Sequence, residues 1–197
     1  RWCIRPGGVS MDQYIDIRLR PDPEFPIPML MGALYGKLHR ALVDLKAEGI
    51  GVSFPAHTLR PRALGNHLRL HGSAYALDEL MEREWLKGMH DHVDVSARAP
   101  VPSEAQYRVV RRRQFKTNAE RLRRRRMRRP GETLEQAREK IPDSVEKKIS
   151  LPFAMLRSQS TGETFPLFIE HGELQPSPHN ATFNQYGLSR TATVPWF

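Results

Sequence analysis

A run of positive charge inside the chain limits what this sequence can fold into. Residues 108–129 contain eleven arginines and one lysine against a single acid, Glu120, and carry a formal charge of +11. The whole chain carries +9, so the other residues sum to −2. Closely spaced guanidinium groups repel one another unless anions neutralise them, so this segment predicts a polyanion-binding site. A solvated charge run or a disordered basic arm would share the composition.

The same run has the start and stop signals of a helix. Thr117 and Glu120 have capping-box spacing, and Pro130-Gly131 ends the pattern, which predicts an arginine-rich helix over about residues 117–129. Arginine suits phosphate because its planar guanidinium donates two parallel hydrogen bonds and stays protonated. Few aromatic residues are interleaved with the arginines, which favours a duplex or hairpin over an unpaired strand. RNA or DNA is therefore the expected ligand.

Hydrophobic spacing before this run predicts an α+β domain. We expect strands at residues 14–19, 50–54, 67–71 and 92–95, and helices at residues 30–45 and 76–86. The order βαββαβ is the ferredoxin-like pattern. The composition changes near residue 103, which predicts a ferredoxin-like domain over residues 11–104. Residues 1–10 form an N-terminal extension with no assigned role.

The remaining residues, 105–197, predict a second, incomplete ferredoxin-like domain that includes the arginine-rich helix. Its expected strands are residues 107–110, 153–157, 165–169 and 183–188. A second helix is expected over residues 133–141, where Thr133 and Gln136 again have capping-box spacing.

Composition argues against several classes of protein. The single Cys3 can form neither an internal disulfide nor a thiolate zinc site, which favours a reducing, cytoplasmic compartment. No apolar run approaches the length of a membrane span. A surface turn is the favoured interpretation of His90-Asp91-His92, so we expect no metal and no cofactor. Walker, Rossmann and Gly-x-Ser-x-Gly motifs are absent from the sequence.

Two features offer candidate chemistry. His39 follows Leu38 at the edge of an apolar helix face, and composition alone favours a structural histidine there. An RNA ligand makes a catalytic role more plausible, because the 2′-hydroxyl of RNA is an internal nucleophile and a ribonuclease needs one well-placed imidazole and a means of holding the strand. Residues 156–162 (LRSQSTG) supply hydroxyl groups, although spacing alone favours an ordinary hairpin turn.

Seven segments carry a resemblance to a known family. They are Met11–Glu24, Gly36–His39, Ile50–Phe54, the arginines of residues 121–129, Leu156–Gly162, Tyr186–Ser189 and Pro195–Phe197. Together they resemble the repeat-cleaving endoribonucleases of type I-F CRISPR systems, in one order over Met11–Phe197.

The resemblance implies a fold, a reaction and partners. It implies an arginine-rich helix in the major groove of a CRISPR repeat hairpin. It also implies cleavage of precursor crRNA at the 3′ base of the stem, leaving a 2′,3′-cyclic phosphate and a 5′-hydroxyl without a metal ion. The enzyme would then retain the mature crRNA and join other subunits of a type I-F surveillance complex.

The resemblance also assigns roles to individual residues. His39 matches the catalytic histidine, Ser158 matches the serine that positions the 2′-hydroxyl, and Ser160 and Tyr186 match supporting polar residues.

For RNA binding, Arg112 and Gln114 match the pair that reads bases, and Phe165 matches the aromatic residue that stacks beneath the last base pair. The predicted phosphate contacts are Arg121, Arg124, Arg125, Arg128 and Arg129.

Two other interpretations stay open at the level of sequence. A non-catalytic module that binds RNA hairpins needs the arginine-rich helix and no active site. A DNA-binding regulator would use that helix in a DNA groove, and it would be indifferent to 2′-hydroxyls.

Overall fold

The computed structural model describes residues 9–114, 123, 126–128, 131, 133–140 and 150–197. The chain divides into two compact units. One unit contains the described residues up to Arg113 together with Leu151–Phe197, and the other is Gln114–Ser150. Helices are combined with antiparallel sheets, which is compatible with the predicted α+β class. The predicted domain boundary at residues 104/105 stays a prediction. Among the described residues, none of the helices has the length and apolarity needed to cross a bilayer.

The first sheet of the larger unit has five antiparallel strands and an inserted hairpin. In chain order the strands are β1 (Gln13–Leu19), β2 (Gly51–Ser53), β3 (Thr58–Leu59), β4 (Arg62–Ala63), β5 (His67–Gly72), β6 (Val93–Val95) and β7 (Ala99–Pro100). The sheet order is β2-β5-β1-β6, β7 pairs with β1, and β3 and β4 form the separate hairpin. Alternation along β1 buries Ile15, Ile17 and Leu19 on one face, as the sequence predicts.

Two helices cover this sheet. They are α1 (Ile27–Leu45) and α2 (Ala74–Glu82). α1 begins after Pro26 with Pro28 in its first turn, and it ends at Lys46, which adopts a left-handed conformation with φ 51°. Leu34, Leu38 and Leu42 are fully buried, so the predicted apolar face is confirmed.

The second sheet has four antiparallel strands. They are β8 (Gln106–Arg113), β9 (Phe153–Arg157), β10 (Thr164–His171) and β11 (Thr193–Trp196), in the order β11-β8-β10-β9. The predicted strand at residues 183–188 is wrong. The Asn184 side chain accepts backbone hydrogen bonds from Tyr186 and Leu188, and Gly187 has φ +68°, so the segment forms a turn.

The smaller unit contains α3 (Leu134–Lys140), close to the predicted position. Its predicted capping box is confirmed. The Gln136 N–H donates to Thr133 Oγ1 at 3.3 Å, and the Thr133 N–H donates to Gln136 Oε1 at 3.1 Å.

The arginine-rich segment is described only in part. Arg123 and Arg126 are helical, and Arg128 is exposed in a turn. Met127 lies in the same turn, and the other residues of the helix predicted over residues 117–129 lie outside the described residues, including Arg121, Arg124, Arg125 and Arg129.

Close packing of α1 on β9 joins the two sheets of the larger unit. A Cβ atom on Gly32 would lie 2.5 Å from the carbonyl oxygen of Met155, a separation that real Cβ atoms do not adopt. One turn later, a Cβ on Gly36 would lie 3.9 Å from Leu156 Cδ2, which is ordinary van der Waals contact. Glycine is therefore required at the first position and not at the second.

We expect Gly32→Ala to lower the free energy of unfolding by about 1–3 kcal/mol, because the helix must move off the strand. Gly36→Ala is the matched control. It should be neutral, or stabilising by up to about 1 kcal/mol, because alanine is the better helix former. Urea unfolding of the two variants checks this, and equal stabilities would contradict the packing argument.

His71 of β5 is fully buried, and His57 and His171, at the end of β10, are half-buried. The His171 ring stacks on His57 with centroids 3.7 Å apart, and His71 bonds to Ser53 Oγ at 2.9 Å. Burial lowers the pKa of His171 to about 2, and the neighbouring His57 ring and then the Arg108 guanidinium lower it further. Burial lowers the pKa of His71 to about 3, with the Arg69 guanidinium as the next cause. Burial also lowers the pKa of His57. His71 and His171 are therefore neutral in the folded protein near neutral pH.

We expect the free energy of unfolding to fall as the pH is lowered. In the unfolded chain histidines protonate near pH ~6.5, while His71 and His171 stay neutral in the fold, so stability is full above that pH and declines below it. Each ring contributes a slope of up to about 1.4 kcal/mol per pH unit. Urea unfolding between about pH 7 and 5 measures this slope, with about pH 5 chosen to stay above the carboxylate range.

His71→Gln should reduce that slope, whatever it does to the absolute stability. His90→Gln changes an exposed histidine and is the matched control. A slope that is the same in wild type and His71→Gln would contradict the assignment.

Candidate active site

The imidazole of His39 has one of its two nitrogens fixed by the backbone. His39 Nδ1 lies 2.8 Å from the carbonyl oxygen of Gln185. A carbonyl oxygen can only accept a hydrogen bond, so Nδ1 must carry the proton and donate it. In the neutral ring the lone pair is then on Nε2. The neutral ring of His39 can therefore accept a proton at Nε2.

The ring of Tyr186 holds the imidazole from one face. The two ring centroids are 4.0 Å apart and the planes differ by 5°. The Tyr186 carbonyl in turn accepts a hydrogen bond from the hydroxyl of Tyr35 at 2.7 Å. Burial raises the pKa of Tyr35 well above its ordinary value, so this hydroxyl stays a neutral donor. Tyr186 contributes the face of its ring to this site, and its predicted role as a supporting polar residue stays a prediction.

Arg112 brings positive charge beside this stack. Its guanidinium carbon lies 5.5 Å from the centroid of the Tyr186 ring and 5.9 Å from that of Phe165. The structure therefore brings four predicted residues together, with a general acid–base group, two aromatic faces and a cation. Such a set can hold a phosphate and a base beside an imidazole.

Neighbouring arginines on β8 have structural partners. Arg111 and Arg113 both pair with Glu170, at 2.7 and 3.3 Å. The Arg111 hydrogen bond lowers the pKa of Glu170, and the same bond raises that of Arg111. Arg108 donates to the Gly172 carbonyl and lies over the Trp196 ring. The formal charge of the basic run therefore overstates the positive charge that is available to a ligand.

The predicted hydroxyl groups form a second cluster in the turn after β9. Ser158 Oγ lies 3.1 Å from Ser160 Oγ and accepts a hydrogen bond from the Thr161 N–H at 3.3 Å. The Ser158 backbone closes the turn through Glu163 and Gly162, at 2.8 and 2.9 Å. Ser158 is partly exposed, and its hydroxyl can both donate and accept.

Packing of α1 on β9 places the His39 stack and the Ser158 turn at the same end of the contact between helix and strand. Gly32 faces Met155 and Gly36 faces Leu156, so the helix and the strand run in the same direction. His39 comes three residues after Gly36, and Ser158 comes two residues after Leu156. A helix rises about 1.5 Å per residue and a strand about 3.3 Å. His39 and Ser158 therefore lie about 4–7 Å beyond the contact between Gly36 and Leu156, in the same direction.

Other predicted residues lie away from His39 and Ser158 or outside the described residues. Gln114 is the first residue of the smaller unit. His90–His92 forms a 3₁₀ turn, where His92 Nδ1 lies 3.2 Å from Asp22, which fits the surface-turn interpretation. Across the ranges that the structure describes, no three His, Cys, Asp or Glu side chains are grouped so as to hold a metal ion.

Sequence reasoning missed three participants. They are Tyr35, Asn184 and the carbonyl group of Gln185. A signal was available for Tyr35, which lies one helical turn before His39, and for Asn184, whose spacing to Gly187 is typical of a turn.

Comparison with known proteins identifies the family of this chain. A model of the family described as CRISPR-associated protein (Cas_Csy4) matches residues 14–197. The chain is 52% identical over 187 residues to the CRISPR-associated endonuclease Cas6/Csy4 of Pseudomonas aeruginosa strain UCBPP-PA14, covering 95% of this chain and 100% of the relative. It is 46% identical to the protein of the same name from Escherichia coli strain UTI89, with the same coverage. The chain therefore belongs to the CRISPR-associated Cas_Csy4 family.

Proposed function

We propose that this protein is a metal-independent endoribonuclease that binds the CRISPR repeat hairpin and cuts precursor crRNA at the 3′ base of the stem. The observation that carries the proposal is the imidazole of His39, which a backbone carbonyl fixes at Nδ1 and the Tyr186 ring holds from one face, with Arg112 beside that ring. Membership of a family whose relatives are named endonucleases supports the same reading.

In the proposed reaction the RNA supplies its own nucleophile. His39 Nε2 accepts the proton of the 2′-hydroxyl, and the 2′-oxygen attacks the adjacent phosphorus. The bond from phosphorus to the 5′-oxygen breaks, and that oxygen receives a proton from the imidazolium. The products are a 2′,3′-cyclic phosphate and a 5′-hydroxyl. Ser158 holds the ribose so that attack is in line with the leaving oxygen, with Ser160 supporting it.

The proposed binding mode divides the RNA between two parts of the chain. Arg112 and Gln114 read base edges, because arginine pairs bidentately with guanine and glutamine with adenine. Phe165 stacks beneath the last base pair of the stem. Phosphates of the hairpin are proposed to contact Arg121, Arg124, Arg125, Arg128 and Arg129.

The proposal extends to the fold, the partners and the cell compartment. Sheet order β2-β5-β1-β6, with helices after β1 and β5, supports a ferredoxin-like N-terminal domain. We further propose that the enzyme retains the mature crRNA and, through it, joins other subunits of a type I-F surveillance complex in the cytoplasm.

His39→Ala should abolish cutting and leave binding intact. We expect the single-turnover rate on a repeat hairpin to fall by at least about 10²-fold, the usual contribution of general acid–base catalysis. A hairpin with one 2′-deoxy sugar at the cut site should bind equally well and resist cleavage, and a chelator should not slow wild type. If wild type binds the hairpin and never cuts it, the protein is a non-catalytic hairpin-binding module.

Arg112→Lys should weaken hairpin binding by about 1–3 kcal/mol, because lysine cannot form the bidentate pair with a base. The loss should depend on sequence. We expect this in a panel of hairpins that each carry one exchanged base pair. The exchange at the contacted position should lower the affinity of wild type and leave the affinity of Arg112→Lys unchanged. Arg113→Lys, on the neighbouring residue that pairs with Glu170, is the matched control. An equal loss of affinity for every hairpin would indicate a phosphate contact instead.

A further inference from the structure

The peptide group between Gln185 and Tyr186 has a partner on each side. Its carbonyl oxygen accepts the hydrogen bond from His39 Nδ1 at 2.8 Å. Its N–H, the backbone N–H of Tyr186, donates to Asn184 Oδ1 at 2.9 Å. A trans peptide group is planar, and its C=O and N–H point in opposite directions. Whatever fixes the N–H therefore fixes the direction of the C=O.

We propose that Asn184 is a positioning residue for RNA cleavage, which holds the Gln185–Tyr186 peptide so that its carbonyl sets the tautomer of His39. The inference rests on the proposed function, since it concerns the same histidine. Asn184 is exposed and acts through the peptide, with no contact to the reacting atoms required.

Asn184 organises the whole turn around this peptide. Its Oδ1 also accepts the Leu188 N–H at 3.2 Å, its own N–H donates to the Leu188 carbonyl at 2.8 Å, and its carbonyl accepts the Gly187 N–H at 2.8 Å. Gly187 completes the turn with φ +68°, where a Cβ would lie 2.7 Å from Val52 Cγ1. Only the two bonds to Oδ1 depend on the asparagine side chain, so a substitution can remove them and leave the backbone bonds in place.

Loss of the Oδ1 bond to Tyr186 would free the peptide to rotate. A reversed peptide presents its N–H to His39 Nδ1, which must then accept a hydrogen bond. The proton of the neutral ring would move to Nε2, leaving no lone pair there to take the proton of a 2′-hydroxyl. The ring of Tyr186 would lose its position against the imidazole at the same time.

The experiment compares wild type, Asn184→Ala and Asn184→Asp, with Asn180→Ala as a control on an exposed asparagine in the same C-terminal segment. Long-range ¹H–¹⁵N NMR of the RNA-free proteins, at a pH where histidine is neutral, reports which nitrogen of His39 carries the proton. Single-turnover cleavage of the repeat hairpin and binding of its 2′-deoxy analogue are measured on the same samples.

We expect wild type and Asn180→Ala to hold the proton on Nδ1 and to cut at the same rate. Asn184→Ala should populate the Nε2–H tautomer and cut more slowly, by at least about tenfold and at most the 10²–10⁴-fold of general acid–base catalysis, with unchanged affinity. Asn184→Asp keeps an acceptor oxygen and should restore both tautomer and rate.

Three results would overturn the inference. They are an Nε2–H tautomer in wild type, an Asn184→Ala variant with unchanged tautomer and rate, and a slower variant with unchanged tautomer. The wild-type spectrum tests the proposal even if Asn184→Ala does not fold. If wild type itself fails to cut, the proposed function is wrong. The NMR spectra of wild type and the variants still report whether Asn184 determines the tautomer of His39.

Discussion

The packing of α1 against β9 is the contact on which the rest of this structure depends. Leucines on one face of α1 fill the core over the first sheet, while Gly32 brings the helix backbone against Met155 of the second sheet. A single hydrophobic cluster consequently includes buried residues of both sheets. His39 lies in the C-terminal half of this helix, so a close-packed interior that tolerates little movement fixes its position. The helix that organises the core also carries His39, the residue that we propose transfers the proton.

The arginines of the basic run fall into two groups, those that pair within the fold and those that stay available to a ligand. Successive residues of a strand point to opposite faces, so Arg112 and its neighbours Arg111 and Arg113 enter different surroundings. The neighbours meet Glu170, far away in sequence, while Arg112 lies beside Tyr186 and Phe165. A count of charges predicts a polyanion site, but it cannot show which arginines are already neutralised by the fold.

Local patterns predicted local structure well and long-range contacts poorly. The face of α1 and the capping box of Thr133 are both encoded within a few residues, and both were predicted. The strand expected at residues 183–188 was wrong because Phe183 and Leu188 are buried in a turn, and burial alone does not distinguish a turn from a strand. The bond between His39 and Gln185 joins residues 146 positions apart through a backbone carbonyl, which no side-chain pattern encodes.

The choice of a backbone carbonyl as the partner of His39 has a chemical consequence. Both a carboxylate and a carbonyl can fix the tautomer by accepting from Nδ1, but a carboxylate also stabilises the imidazolium through its full negative charge. A carbonyl carries only a partial charge, so it stabilises an imidazolium less than a carboxylate does. In the proposed reaction one imidazole takes a proton from the 2′-oxygen and must then release it to the 5′-oxygen. A partner that orients the ring without trapping it in the charged form suits both halves of that cycle.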